Sequence, residues 1–168
     1  MITPAWCHLM ARYNVWQNNS LIKAASDLDD DARHLGRGAF FGSIQGTLSH
    51  LLWADTIWMA RFDDSDRPKG GIAESADLWP DWAAYLGARR AMDRHILGWA
   101  GRLSSDDLDG ELHWFSGGLN REVTKPLTLC VAHFFNHQTH HRGQVHAMLT
   151  AAGARPDDTD LFIMPEES

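Results

Sequence analysis

The chain has 168 residues, 44% of them hydrophobic and 22% charged, which is enough for one globular domain with a buried core. Its formal net charge of −7, without any cluster of Lys or Arg, argues against binding to nucleic acid or to an anionic membrane surface. The absence of a long apolar span and of a signal-peptide pattern, together with only two cysteines, predicts a cytoplasmic protein with one domain over residues 1–168.

Apolar residues at helical spacing predict four helices in chain order. Thr3 followed by Pro4 is typical of a helix N-terminus, because a capping side chain precedes a proline whose missing N–H is not needed there. The polar stretch SDLDDDARHLGRG after the first helix predicts a loop, and Pro80 is expected to open the third helix. The predicted helices cover residues 3–26, 43–63, 79–103 and 127–152.

Two segments depart from the helical pattern. Residues 104–126 carry a Gly-Gly pair between short aromatic and β-branched stretches, which predicts a small hairpin. Residues 154–168 form a tail, in which Leu161 to Met164 are expected to pack back on the body. We therefore predict an all-α four-helix bundle with a hairpin-like insertion between the third and fourth helices, a fold that builds metal and ligand sites from facing helices.

The fourth helix carries five histidines between positions 133 and 146. On a helical wheel with His133 at zero, the apolar side chains fall at roughly 60 to 160°, His141 near 80° and His137 near 40°. These two face inward at i, i+4 spacing, close enough for both imidazoles to bind one ion. Capped or water-bonded histidines at the edge of the core remain the alternative interpretation.

A third ligand would favour a metal site over that alternative. His50 lies at the margin of the apolar stripe of the second helix, and His8 and His95 are rival candidates on the first and third helices. His34 and His113 lie in loop-like sequence and are expected to be exposed.

Several motifs resemble the DinB/YfiT-like family of metal-binding proteins. They are GTLSHLLWADTIWMARF, HFFNHQTHHRGQVHAML and, more weakly, YNVWQNNSLIKA and DTDLFIMP, which together span essentially the whole chain. The resemblance implies a four-helix bundle of unusual connectivity that is often dimeric, so we expect a homodimer. It also implies one divalent metal bound by a histidine of the second helix and two of the last, which correspond here to His50, His137 and His141.

Three neutral imidazoles suit zinc best, and nickel is the second expectation. Cys130 lies about 10 Å along the helix from His137 and is too far away to share its ion, whereas Cys7 stays open as a fourth ligand. Without a fourth protein ligand the site is the open, water-bearing arrangement of catalytic zinc. Characterised members of the family, such as bacillithiol transferases and mycothiol-dependent maleylpyruvate isomerase, imply a low-molecular-weight thiol as cosubstrate.

These expectations give a metal-dependent enzyme acting on a small molecule, a thiol transferase first and a hydrolase second. One alternative is a non-catalytic, stress-associated bundle whose ion is structural, and another is a carrier of apolar ligands with a dry cavity and no metal.

Asp55 lies inside an apolar stripe, so it either orients a ligand histidine or pairs with Arg142 or another cation. Tyr13 and Gln138 are further candidates for hydrogen bonds near the site, and Trp53 or Trp114 for the lining of a pocket or of a dimer face.

Overall fold

The computed structural model describes residues 2–166, so Met1 and the last two residues of the predicted tail lie outside the described residues. Within these residues the fold consists of five α-helices and one two-stranded antiparallel sheet. Their bounds are α1 Pro4–Ser26, α2 Asp30–His34, α3 Ile44–Phe62, α4 Trp82–Arg102, β1 Glu111–Ser116, β2 Arg121–Pro126 and α5 Leu127–Ala151. The helical bundle with a hairpin inserted before its last helix is thereby confirmed.

Side-chain caps define where the helices begin. Thr3 accepts a hydrogen bond from Trp6 N at 3.1 Å, and Ser43 accepts one from Gly46 N at 3.0 Å. The third long helix begins at Trp82 because Asp81, rather than Pro80, caps it through Ala84 N at 2.7 Å. Each cap satisfies a backbone N–H that the first helical turn leaves without a partner.

The short helix α2 corrects the prediction of a loop after the first helix. Asp29 caps it through Ala32 N at 2.8 Å, and Asp30 and Asp31 lie in its first turn, where negative charge is favourable. Arg33 is buried and donates to the carbonyls of Ala25 and Leu28, so the segment is fixed to the end of α1.

The four long helices are arranged so that α1 and α3 each pack against both α4 and α5. One hydrophobic cluster joins the C-terminal halves of α1 and α5 to the N-terminal halves of α3 and α4, and a second joins the opposite halves. Thus α1 and α5 run in one direction and α3 and α4 in the other. The parallel pair α3 and α4 requires residues 63–81 to return along the length of the bundle.

A layer of buried polar side chains separates the two hydrophobic clusters. Arg89 lies at its centre, 2.5 Å from Asp55 and 2.8 Å from Asp93. Asn18 donates to Asp93 at 2.8 Å, and Gln138 donates to Asp55 at 2.9 Å. Burial lowers the pKa of Arg89, but the two carboxylates raise it by more than burial lowers it, so the pKa lies above its usual value and the guanidinium stays charged.

The hairpin and the tail lie at different places on the bundle. In β1, Trp114 pairs with Val123 and turns inward onto Trp58 of α3, with ring centroids 5.7 Å apart. The tail is held through its backbone, because Tyr13 donates to Thr159 O at 2.6 Å. The expectation that Leu161 to Met164 pack back on the body is wrong for Leu161, Phe162 and Ile163, which are exposed, Phe162 to 86%. No helix within residues 2–166 is both long and apolar enough to cross a membrane.

Candidate metal centre

Three histidines from two helices meet between α3 and α5. His50 comes from α3, and His137 and His141 lie one turn apart on α5, which packs against α3. One nitrogen from each ring lies within 4.8 Å of the corresponding nitrogen of the other two. The cluster can hold a metal ion.

The loop before α3 covers the cluster on one side. Phe41 stacks on His50 with ring centroids 3.6 Å apart, and its ring also contacts His141 edge-on. Gly46 permits this approach, because a Cβ at that position would overlap the carbonyl oxygen of Phe41. Gly42 has a φ of +76° and closes the turn, a backbone conformation that glycine adopts without strain.

Hydrogen bonds fix the tautomer of His50. Its Nδ1 lies 2.8 Å from Ser75 Oγ, in the segment that returns from α3 to α4. Ser75 has only one hydroxyl proton and donates it to Ile72 O at 2.7 Å. His50 Nδ1 must therefore be the donor, which leaves the lone pair on Nε2 available for an ion.

The same reasoning applies to His141, whose Nδ1 lies 2.8 Å from the side-chain oxygen of Gln144. Since an amide oxygen only accepts, His141 Nδ1 donates and its Nε2 carries a lone pair. That Nε2 lies 3.1 Å from His137 Nε2. Two nitrogens bound to one tetrahedral zinc at 2.0–2.1 Å would lie about 3.3 Å apart, so the pair fits an ion with little movement.

Electrostatics keep these imidazoles neutral. Burial, and secondarily His141, lowers the pKa of His50 to about 3. Burial together with the neighbouring histidines lowers the pKa of His137 to about 3 as well, and burial lowers the pKa of His141. Neutral imidazole is the form that binds metals, so the fold supplies the cluster in its ligating state.

The cluster offers three side chains that could bind an ion. Among residues 2–166, no Asp, Glu, Cys or further His completes the group. Cys7 and Cys130 are both buried, and Cys7 lies in the hydrophobic cluster around Ile96 and Trp99. Burial raises the pKa of the Cys7 thiol to about 11, which keeps it protonated and a poor ligand.

A cleft of about 630 Å³ opens beside the cluster, and His50 and His137 form part of its wall. The helix α3 contributes Trp53 and Trp58, and the hairpin contributes Trp114. Both tryptophans named from the sequence as candidates for a pocket lining, Trp53 and Trp114, therefore line this cleft. A ligand in the cleft would therefore contact His50 and His137.

The remaining candidate residues lie around the cluster or away from it. Asp55 gives its two oxygens to Arg89 and Gln138, so its cationic partner is Arg89 rather than Arg142. Tyr13 and Arg142 line a separate cavity of about 310 Å³ between α1, α5 and the tail.

The other histidines have different surroundings. His95 contacts Asp63 at 2.6 Å, whereas the exposed His113 and His34 contact Thr124 and Asp30. His133 lies between Trp58 and His137 in the wall of the cleft.

Sequence reasoning missed three residues of the site: Phe41, Ser75 and Gln144. Gln144 had a usable signal, since it follows His141 by three positions on the same helix face. Phe41 and Ser75 lie in connecting segments, and only the folded chain brings them to His50.

Comparison with known proteins identifies the family and the fold of the chain. The model of the DinB family matches residues 1–167. Protein DinB of Bacillus subtilis (strain 168) is 24% identical over 163 residues, which cover 90% of each chain. The crystal structure of a DinB-like protein from Bacillus cereus ATCC 10987 shares the fold, with a TM-score of 0.63 at 15% identity, over 86% of this chain and 91% of that one. The chain therefore belongs to the DinB family.

Proposed function

We propose that this protein is a metal-dependent enzyme that acts on a small molecule, with His50, His137 and His141 as the ligands of one divalent ion. The observation that carries the proposal is a cluster of three neutral imidazoles, two of which, His50 and His137, lie in the wall of a cleft of about 630 Å³. A structural zinc site normally has four protein ligands, whereas a catalytic site keeps one position free for water or substrate. The donor set favours zinc, and nickel is the second candidate.

Thiol transfer is the reaction that we propose first, and hydrolysis second. A divalent ion in such a site lowers the pKa of a thiol or of water and polarises a carbonyl. The residues of the chain orient the ligands through Ser75 and Gln144, and Phe41 shields His50 from solvent. Membership of the DinB family and the open side of the cluster support a low-molecular-weight thiol as cosubstrate.

A cobalt-substituted sample tests the thiol proposal directly. We expect N-acetylcysteine to add an intense sulfur-to-cobalt absorption band, whereas N-acetylserine, which has the same shape with a hydroxyl, should not. The absence of a band at saturating N-acetylcysteine would contradict thiol transfer and favour hydrolysis. The His141→Ala variant is the control, because it should lose the cobalt spectrum itself.

The proposal includes a cytoplasmic homodimer with a small-molecule substrate. Sedimentation equilibrium of the full chain tests the oligomeric state, and a monomer at micromolar concentration would contradict the dimer. The competing proposal of a structural ion predicts that removal of the metal lowers the melting temperature but that no thiol or electrophile alters the cobalt spectrum.

A further inference from the structure

The cleft beside the histidine cluster has one cationic side chain whose role the metal site does not explain. Arg61 lies near the C-terminal end of α3, and its guanidinium lies over the rings of Trp58 and Trp114, at 4.5 and 5.3 Å from their centroids. All three side chains line the cleft. The arginine therefore joins the helix to the hairpin and forms one wall of the cavity.

Arg61 is half-buried but has no carboxylate partner. Within residues 2–166, no Asp or Glu oxygen lies within ion-pair distance of it, and no acceptor takes a hydrogen bond from its guanidinium. Glu74 lines the same cleft, but its carboxylate accepts from Gly71 N at 2.8 Å. Burial first, and Arg67 second, lower the pKa of Arg61 to about 10, so it still carries its charge near neutral pH.

A charged group withdrawn from water is normally paired. Stacking on tryptophan uses the faces of the guanidinium and leaves the N–H groups at its edges free. Those groups form a planar fork that matches the two oxygens of a carboxylate. The feature missing from this wall of the cleft is therefore an anion with carboxylate-like geometry.

The distance between Arg61 and the histidines limits the shape of a ligand that reaches both. Arg61 lies eleven positions after His50 on α3, which corresponds to about 16 Å along the helix axis. Between them the wall is formed by Trp53, Ile57 and Trp58. A molecule that contacts both ends must be elongated, and its middle part must be flat and apolar to match these side chains.

We propose that the substrate is an elongated aromatic carboxylate, whose carboxylate binds Arg61, whose ring lies against Trp53 and Trp58, and whose reactive group reaches His50 and His137. This identification rests on the proposed function, since it takes the histidine cluster as the reaction centre. The binding of the carboxylate by Arg61 does not depend on the ion, however. It can therefore be tested separately in metal-free protein.

The test compares two matched ligands by isothermal titration calorimetry on the metal-free full-length chain. Phenylbutanoate supplies the ring and the carboxylate, and phenylbutanamide has the same shape without the charge. We expect the wild type to bind the carboxylate about tenfold more tightly or better, as a hydrogen-bonded charge pair predicts. Arg61→Gln should abolish the difference, Arg61→Lys should keep part of it, and Arg90→Gln, on the exposed surface of α4, should leave it unchanged.

Three results would overturn the proposal: equal affinity for both ligands, a preference that persists in Arg61→Gln, or no binding of either ligand. A preference for the carboxylate that appears only in metal-loaded protein and survives in Arg61→Gln would mean that the carboxylate binds the metal ion rather than Arg61. That result would also overturn the proposal. Metal content distinguishes this failure from failure of the proposed function. A chain that binds one metal through its histidines but shows no preference would contradict the substrate class alone.

Discussion

His50 and Ser75 lie 25 positions apart in sequence, yet one hydrogen bond of 2.8 Å between them decides which nitrogen of the histidine faces the cluster. The serine can only accept from His50, because its own proton goes to Ile72 O. The segment that returns from α3 to α4 thus fixes the tautomer of His50 on α3. Gln144 has the same role for His141.

The first prediction concerns these two orienting residues. Ser75→Ala and Gln144→Ala should each weaken metal affinity by about 10- to 100-fold, because the ligand imidazole loses the acceptor that fixes its tautomer. Competition with a chromophoric chelator measures the affinity. Ser104→Ala is the control, since Ser104 contacts Asp107 in a different part of the chain. Unchanged affinity in both variants would mean that neither hydrogen bond matters for metal binding.

The second prediction concerns the buried ion pair between Asp55 and Arg89. Asp55→Asn should lower the free energy of unfolding by about 3–5 kcal/mol, because it leaves a fully buried guanidinium with one carboxylate fewer. Urea denaturation measures this loss, and Asp66→Asn, on the exposed surface, should have no comparable effect. We expect full metal stoichiometry in Asp55→Asn. A loss of metal without a loss of stability would instead support a direct role of Asp55 in orienting a ligand.

The third prediction is acid sensitivity of the metal-free protein. His50 and His137 have pKa values lowered to about 3 in the fold, whereas an unfolded histidine titrates near pH 6.5. Between these values the unfolded state binds more protons, so the free energy of unfolding should fall as the pH is lowered from about 7 to about 4. Urea titrations at several pH values measure the slope, which should be shallower in His137→Gln than in the wild type or in His113→Gln. Equal slopes in all three proteins would contradict the prediction.

The fourth prediction concerns the two cysteines. Burial raises the pKa of both Cys7 and Cys130, and both side chains are almost inaccessible. We therefore expect both thiols to react with a chromogenic disulfide reagent only when the protein unfolds. Reaction of the native protein within seconds would show that one of them is accessible and would reopen the question of a thiolate near the site.

Helical periodicity was sufficient to predict the bundle, and the wheel of the last helix correctly selected His137 and His141 as the inward-facing pair. The short helix α2 was missed because four of its five residues, Asp30 to His34, are polar and form no apolar stripe. The Asp29 cap and the hydrogen bond from Arg33 to Ala25 O of α1 stabilise it. Leu161 to Met164 were expected to pack back on the body, but three of these side chains are exposed, and backbone carbonyls rather than apolar side chains attach the tail to α1.

The three histidines of the cluster could be predicted from the sequence, but the residues that contact them could not. Ligands on one helix follow from a spacing of four, and a third ligand on a facing helix follows from the bundle. The partners of those ligands do not follow from any spacing. Ser75 and Phe41 reach His50 only because two connecting segments fold over the same end of α3.

Metal content is the measurement that tests the central claim most directly. Elemental analysis of untagged wild type, His50→Ala, His141→Ala and the control His113→Ala should give about one zinc or nickel per chain in the wild type and the control, and none in the other two. A wild type that stays metal-free after reconstitution, or variants at position 50 or 141 that retain a full equivalent, would contradict the three-histidine site and the enzyme that we propose on it.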